Sequence, residues 1–384
     1  MNYVAIRMLM GDRAKYIGII MGVTFAALLI TQQASIFWGI MSRTFGFIRD
    51  TSLPNIWVMD PKVQYIDDLK PMQDTQLLRV RGVEGVEWAT PLYKGMLRVR
   101  LENGLFQNCN VIGLDDATLI GGPPKMLQGE LSDLRRAEGV IVDIAGAEGR
   151  LARTLPDGTR APLKVGDTLE LNDHRAIVVG ICQVSRTFQS QPVIYTTYTR
   201  ATTFAPQERK LLSFILAKSG PGKDPKAVCE QITRVTGLAA YTAEDFKVMT
   251  LRYFVKYTGI PINFGMSVVL GFLVGTAIAG SVFYNFTHDN IKHFAALKAM
   301  GTTDRRLFGM IVLQALVVGL IGYGLGVGGA ALFGRMSGST ELAFRMVWQI
   351  PVGAGVAITL ICCISAAIAI VKVVRLEPGI VFKG

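Results

Sequence analysis

The sequence predicts a membrane protein: four transmembrane α-helices with a large mixed α/β extracytoplasmic domain inserted between helices 1 and 2. Three observations predict it. Four stretches, 16–38, 262–287, 307–334 and 346–371, contain no Asp, Glu, Lys or Arg. Each can cross ~30 Å of hydrocarbon at ~1.5 Å per helical residue. Between the first two, charges recur every few residues and apolar runs stay short, the pattern of a water-soluble domain. Short basic segments flank the apolar stretches unequally, which sets an orientation.

Arg7, Arg13 and Lys15 precede the first stretch, Lys292, Lys298, Arg305 and Arg306 lie between the second and third, and Lys372, Arg375 and Lys383 follow the fourth. The opposite short loop holds Arg335 and Arg345 with Glu341 between them. By the positive-inside rule both termini face the cytoplasm and the large domain is extracytoplasmic. A cleaved signal peptide is the alternative for the first stretch. Its apolar run is too long, however, and no A-x-A site follows. The expected divisions are 1–42, the N-terminus and first helix; 43–258, the outer domain with its stalks; and 259–384, the remaining helices, a short cytoplasmic helix at 288–301 and the tail.

Half of the residues are hydrophobic and the net charge is +11. No basic run interleaved with aromatics occurs, so anionic lipid headgroups, not nucleic acid, are the expected counterpart. In the outer domain, strands are expected at 55–59, 83–88, 96–101, 110–114, 140–142, 168–171, 176–181, 193–195 and 214–217, and helices at 72–81, 197–204 and 225–236. Glu102-Asn103-Gly104 and Pro156-Asp157-Gly158 are expected turns. One stalk, 41–50, continues the first helix outward. The second begins at Thr242-Ala243-Glu244-Asp245, a capping-box pattern, and ends where Thr258-Gly259-Ile260-Pro261 breaks the helix.

Motifs of catalysis are missing from the sequence. Its histidines are His174, His288 and His293, and no H-E-x-x-H or G-x-S-x-G occurs. Gly222-Lys223 is followed by Asp224 and lacks the upstream glycine of a phosphate-binding loop. Gly322, Gly324, Gly326, Gly328 and Gly329 lie inside an apolar helix, where close packing explains them. We therefore expect no enzyme, catalytic residue, metal or cofactor in this chain. Cys109, Cys182 and Cys229 lie in a compartment that permits disulfides; a Cys109–Cys182 bridge and buried free thiols are both open. Cys362 and Cys363 are read as small apolar fillers. Gly271 and Gly275 on the second helix, and Gly322 and Gly326 on the third, form small faces that serve either packing within one chain or a dimer seam.

The loop after the second helix is the most informative segment. Ile291, Phe294, Ala295 and Lys298 repeat at helical spacing, Leu297 and Met300 widen the apolar face, Gly301 supplies a helix stop, and Thr302 or Thr303 can cap the next helix. This amphipathic helix is either an interfacial anchor or a docking key for a cytoplasmic partner.

The Ala-Leu-Lys-Ala-Met-Gly core of 294–306 resembles the coupling segment of the FtsX/MacB superfamily of ABC-transporter permeases. Tyr257-Thr258-Gly259-Ile260-Pro261-Ile262-Asn263-Phe264-Gly265, Val111-Ile112-Gly113-Leu114-Asp115-Asp116 and Gln191-Pro192-Val193-Ile194-Tyr195 resemble its DevC branch. The resemblance implies a permease of the bacterial inner (plasma) membrane, its large domain periplasmic, without its own nucleotide site, ATP and Mg being bound by a separate ATPase subunit. It further implies a HlyD-type membrane-fusion adaptor, a TolC-like outer-membrane channel, a homodimer, and mechanotransmission that drives export of a glycolipid-like amphiphile or small molecule. Ile291, Phe294, Leu297, Lys298, Met300 and Gly301 would then couple to the ATPase, and Gly259 and Pro261 would mark the stalk break. The alternatives are an FtsX-like scaffold that controls a cell-wall hydrolase and a lipoprotein-releasing permease. The segment 150–161, with Arg150, Arg153 and Arg160, does not match the family pattern.

Overall fold

The structure, a computed structural model, describes residues 2–101, 104–154, 159–206, 211–337 and 341–374. It comprises two compact units, one formed by Met1–Ile40 with Gly259–Gly384 and the other by Met41–Thr258. The predicted turn residues Glu102 and Asn103, the Pro156-Asp157-Gly158 turn, and the tail residues Arg375 and Lys383 lie outside the described residues.

A short helix, α1 (Asn2–Gly11), precedes the first long helix, α2 (Arg13–Thr44). The predicted continuous stalk is corrected here: the helix stops at Thr44, Phe45 takes a non-helical conformation, and a separate turn, α3 (Gly46–Asp50), follows. Phe45 is buried, and Lys247 Nζ stands 5.2 Å from its ring centre. Tertiary contacts thus override the helical propensity of the segment.

The outer unit is built on one long strand. Strands β1 (Ile56–Met59), β2 (Val86–Arg100), β3 (Phe106–Leu114), β4 (Lys125–Gln128) and β5 (Gly139–Asp143) alternate with α4 (Thr75–Arg81) and α5 (Ile144–Glu148). Next come β6 (Arg153–Thr154), β7 (Arg160–Ala161), β8 (Thr168–Leu171), β9 (His174–Gln183), β10 (Val193–Thr197), α6 (Tyr198–Phe204), β11 (Phe214–Ser219), α7 (Pro225–Thr236), β12 (Ala239–Thr242) and α8 (Ala243–Tyr257). The expected separate strands at 83–88 and 96–101 are one strand, β2. Its first half pairs with β11 and its second half with β3, whose ladder begins at Tyr93. Pro91 falls before that ladder, so its missing N–H interrupts no bond to β3.

The sheet runs β12-β1-β11-β2-β3-β10-β5-β9-β4, and β8 pairs with both β2 and β9. Strands β2, β3, β10, β5, β9 and β8 therefore close into a small barrel filled by Val99, Val111, Val142, Leu171, Val178 and Ile194. The β12-β1-β11 side is an open sheet covered by α4 and α7, with Ile56, Val80, Ile215 and Ile232 in its core. The unmatched segment at 150–161 contains the two-stranded β6–β7 hairpin. Thr242 caps α8 by accepting from the Asp245 N–H at 3.1 Å, as the capping pattern predicts.

The chain then forms α9 (Ile260–Asp289), α10 (Ile291–Ala299), α11 (Asp304–Met336) and α12 (Gln349–Val374). Helices α2, α9, α11 and α12 are long and apolar enough to cross a membrane. They share a core in which Ile19, Val23, Phe283, Ile311 and Ile361 are buried together.

Candidate functional site

Helix α10 connects two membrane-length helices, and its sequence explains its ends. Gly301 takes φ +88°, its N–H donates to the Lys298 carbonyl at 3.0 Å, and the Thr302 N–H donates to the Leu297 carbonyl at 3.1 Å. This pair of bonds is the Schellman stop, open to glycine because it lacks a Cβ. Thr303, not Thr302, then occupies the N-cap of α11, without a side-chain bond.

The apolar face of α10 points into its own unit. Phe294 is 0% exposed and packs in the cluster that holds Phe286 of α9 and Leu307 and Met310 of α11. Ala295 is buried, and Ile291 and Leu297 are partly buried against the same cluster. The reading of Phe294 as a docking key is therefore corrected: burial of its ring within the chain stabilises by roughly 1.5–3 kcal/mol, and docking it elsewhere would forfeit that. The outward face carries Lys292, His293, Ala299 and Met300, the last 74% exposed. Lys298 reaches back to Asp304 of α11 at 3.1 Å.

Two further ties hold this end of the unit. Lys15 pairs with Asp12 at 2.8 Å and with Asp289, so the start of α2 is linked to the end of α9. Helix α1, which was not expected, buries Ala5 and Leu9 beside Phe294. Its signal was present in the spacing of Ala5, Met8 and Leu9.

The small faces pack within the chain. A Cβ on Gly275 would stand 2.4 Å from the Ala26 Cβ, and one on Gly326 2.5 Å from the Ala27 Cβ. Gly271 faces Leu29 and Gly322 faces Val23. All four glycines are buried against α2, so they form no seam open to a second copy. At the stalk break, Thr258 is extended, Gly259 is the N-cap of α9, and Pro261 sits in its first turn. The missing proline N–H costs no helical bond there.

Residues 16–235 match the MacB-like periplasmic core domain family and residues 265–378 match the FtsX-like permease C-terminal family. An uncharacterized ABC transporter permease of Mycobacterium tuberculosis is 25% identical over 320 residues, 82% of this chain and 80% of its own. Another permease of that organism is 31% identical over 120 residues, 30% of this chain and 32% of its own. The periplasmic region of MacB from Actinobacillus actinomycetemcomitans aligns with a TM-score of 0.38 and 14% identity, over 55% of this chain and 97% of that one. The extracellular domain of the noncanonic ABC-type transporter YknZ from Gram-positive bacteria aligns with a TM-score of 0.34 and 11% identity, over 49% and 99%.

Proposed function

Since the chain belongs to the FtsX/MacB superfamily of ABC-transporter permeases, we propose that it converts ATP hydrolysis in its partner ATPase subunit into movement of its extracytoplasmic domain. The observation that carries this reading is the seating of α10. Phe294 shares one buried cluster with α9 and α11, so a push on α10 displaces both helices together. The chain continues from α9 back through the Gly259 break to α8, and from α2 forward to α3. Both connections have short non-helical joints, at Phe45 and at Thr258-Gly259, suited to redirect a displacement.

The cargo in this reading is an amphiphile or small molecule already outside the inner membrane, handed on with a HlyD-type adaptor and a TolC-like channel. Two copies of the permease work together, and both termini lie in the cytoplasm. The test is co-expression with the partner ATPase subunit, purification in nanodiscs and measurement of ATP hydrolysis. Stable recovery of the ATPase and stimulated hydrolysis are expected. An ATPase that neither co-purifies nor responds to the permease would defeat the proposal.

A further inference from the structure

The last strand of the outer unit leaves an edge open. Strand β12 ends the sheet: it pairs with β1 on one side and with no described strand on the other. The Ala243 N–H donates to the Asn55 carbonyl at 3.1 Å, and hydrogen-bonded pairs alternate along the register from there. Tyr241 and Ala239 therefore direct their main-chain groups at β1, whereas Ala240 and Thr242 turn theirs outward. The Thr242 carbonyl, at the N-cap, serves the first turn of α8. The Ala240 N–H, the Ala240 carbonyl and the Thr242 N–H are left for a further strand. Sheet edges are usually blunted by a bulge, a proline or a lysine, and Ala239-Ala240-Tyr241-Thr242 has none of them.

Helix α7 flanks this edge. A groove of about 490 Å³ lies between them, within the ~300–1,000 Å³ of clefts that hold ligands. Buried Cys229 and Ala240 line it, and Lys226, Glu230 and Arg234 form its α7 rim. These three are exposed, lie four residues apart on one side of the helix, and make no ion pair with a described residue. The other charge in the lining, Asp245 of α8, accepts from the Thr242 hydroxyl at 2.6 Å.

The spacing of the rim defines what fits. Four helical residues rise ~6 Å and two strand residues ~6.8 Å, so alternate side chains of an extended chain beside β12 keep step with Lys226, Glu230 and Arg234. Ala240 packs on the α7 side of the sheet with Cys229 and Ile232, and the alternate side chains of an added strand lie on that same side. We propose that the β12 edge and α7 bind an extended peptide segment of another protein, with acidic, basic and acidic residues at alternate positions. Main-chain bonds to Ala240 and Thr242 hold the segment, and the α7 rim selects it. The 384 residues contain no acidic-x-basic-x-acidic segment of their own. A second copy pairing edge to edge about a two-fold axis would run the rim against its own reverse. The plus-minus-plus order reads the same both ways, so like charges would meet in register. Peptide binding at this edge requires nothing of the ATPase subunit.

The test uses the full chain in nanodiscs of zwitterionic lipid and the fluorescence anisotropy of a seven-residue probe in which Val alternates with Glu, Lys and Glu. Saturable binding is expected. A probe with Lys, Glu and Lys in the same places should bind at least tenfold more weakly. Methylating one alternate set of amides in the first probe should also weaken it at least tenfold, and methylating the other set should not, because an added strand uses one edge only. Lys226→Glu, Glu230→Lys and Arg234→Glu together change exposed side chains and should reverse the preference between the two probes, which misfolding could not do. Equal binding of both probes, equal effects of the two methylated sets, or an unchanged preference in the triple variant overturns the proposal. Absence of saturable binding overturns it too, and spin labels on Thr233→Cys that couple between copies would then assign the edge to a second copy of this chain.

Discussion

The side-chain amide of Gln314 in α11 donates to the main-chain carbonyl of Ala5 in α1 at 2.6 Å. Gln314 is fully buried, and its Oε1 has no partner among the described residues. One bond thus ties α1 down while an acceptor stays unsatisfied beside it. Gln314→Leu removes a bond worth about 1 kcal/mol and also an orphan acceptor that costs about 1–3 kcal/mol. Unfolding of that variant in nanodiscs should move little. Leu9→Asp, which places a charge in the shared cluster, should free α1 and expose the segment near Asp12 to protease. A large loss in Gln314→Leu with none in Leu9→Asp would reverse this account.

The glycine faces give a second prediction. Gly326→Ala brings a methyl to within 2.8 Å of Ala27, the Thr24 carbonyl and the Leu28 N–H, two of them main-chain atoms that cannot swing aside. Such overpacking costs about 1–3 kcal/mol. Stability of the single chain should fall, while the mass of the assembled permease in nanodiscs stays the same. Dissociation of the assembly at unchanged stability would restore the seam reading.

Helix α10 separates packing from docking. Phe294→Ala leaves a cavity in the shared cluster and should cost about 3–5 kcal/mol of stability. Met300→Asp changes an exposed side chain, so unfolding should be unaffected. If the outward face meets the ATPase subunit, Met300→Asp should lower ATPase recovery and stimulated hydrolysis severalfold. Retention of both would leave α10 as a packing element only.

Cys109, Cys182 and Cys229 are free and buried in the outer unit. Burial pushes all three thiols upward, the Cys229 thiol to about 12. At neutral pH almost no thiolate is then available for attack. Maleimide at pH 7.5 should leave these three unmodified in the folded chain and label them after denaturation. A reductant should not change the melting of the outer unit. Rapid native labelling would show that these strands open readily.

Much of the architecture was legible because hydrocarbon and β-pairing impose strict patterns. The absence of charge over 16–38 and 346–371 marked membrane-length helices, and the helix expected at 225–236 is α7 with the same bounds. The barrel was hidden, because β8 pairs with β2 and β9 across long sequence separations that local periodicity does not record. Strand β2 was read as two strands because it exchanges its partner β11 for β3 between Leu92 and Tyr93, a change that local periodicity does not record. The apolar stripe of α10 was read correctly as a stripe, but a stripe does not say whether the chain or a partner covers it.

Orientation provides the last prediction. The basic residues near α1 and α10 outnumber those in the loop between α11 and α12, where Arg335 and Arg345 stand with Glu341. Translocation disfavours short loops rich in Lys and Arg, so α10 should stay on the cytoplasmic side and the outer unit should cross. Lys292 and Lys223 are both exposed and lie in different units. An impermeant maleimide added to intact spheroplasts should label Lys223→Cys and spare Lys292→Cys, and lysis should make both reactive. Arg305→Glu combined with Arg306→Glu should weaken the bias and produce a mixed population. Labelling of Lys292→Cys in intact spheroplasts would invert the topology and remove the access of α10 to a cytoplasmic ATPase.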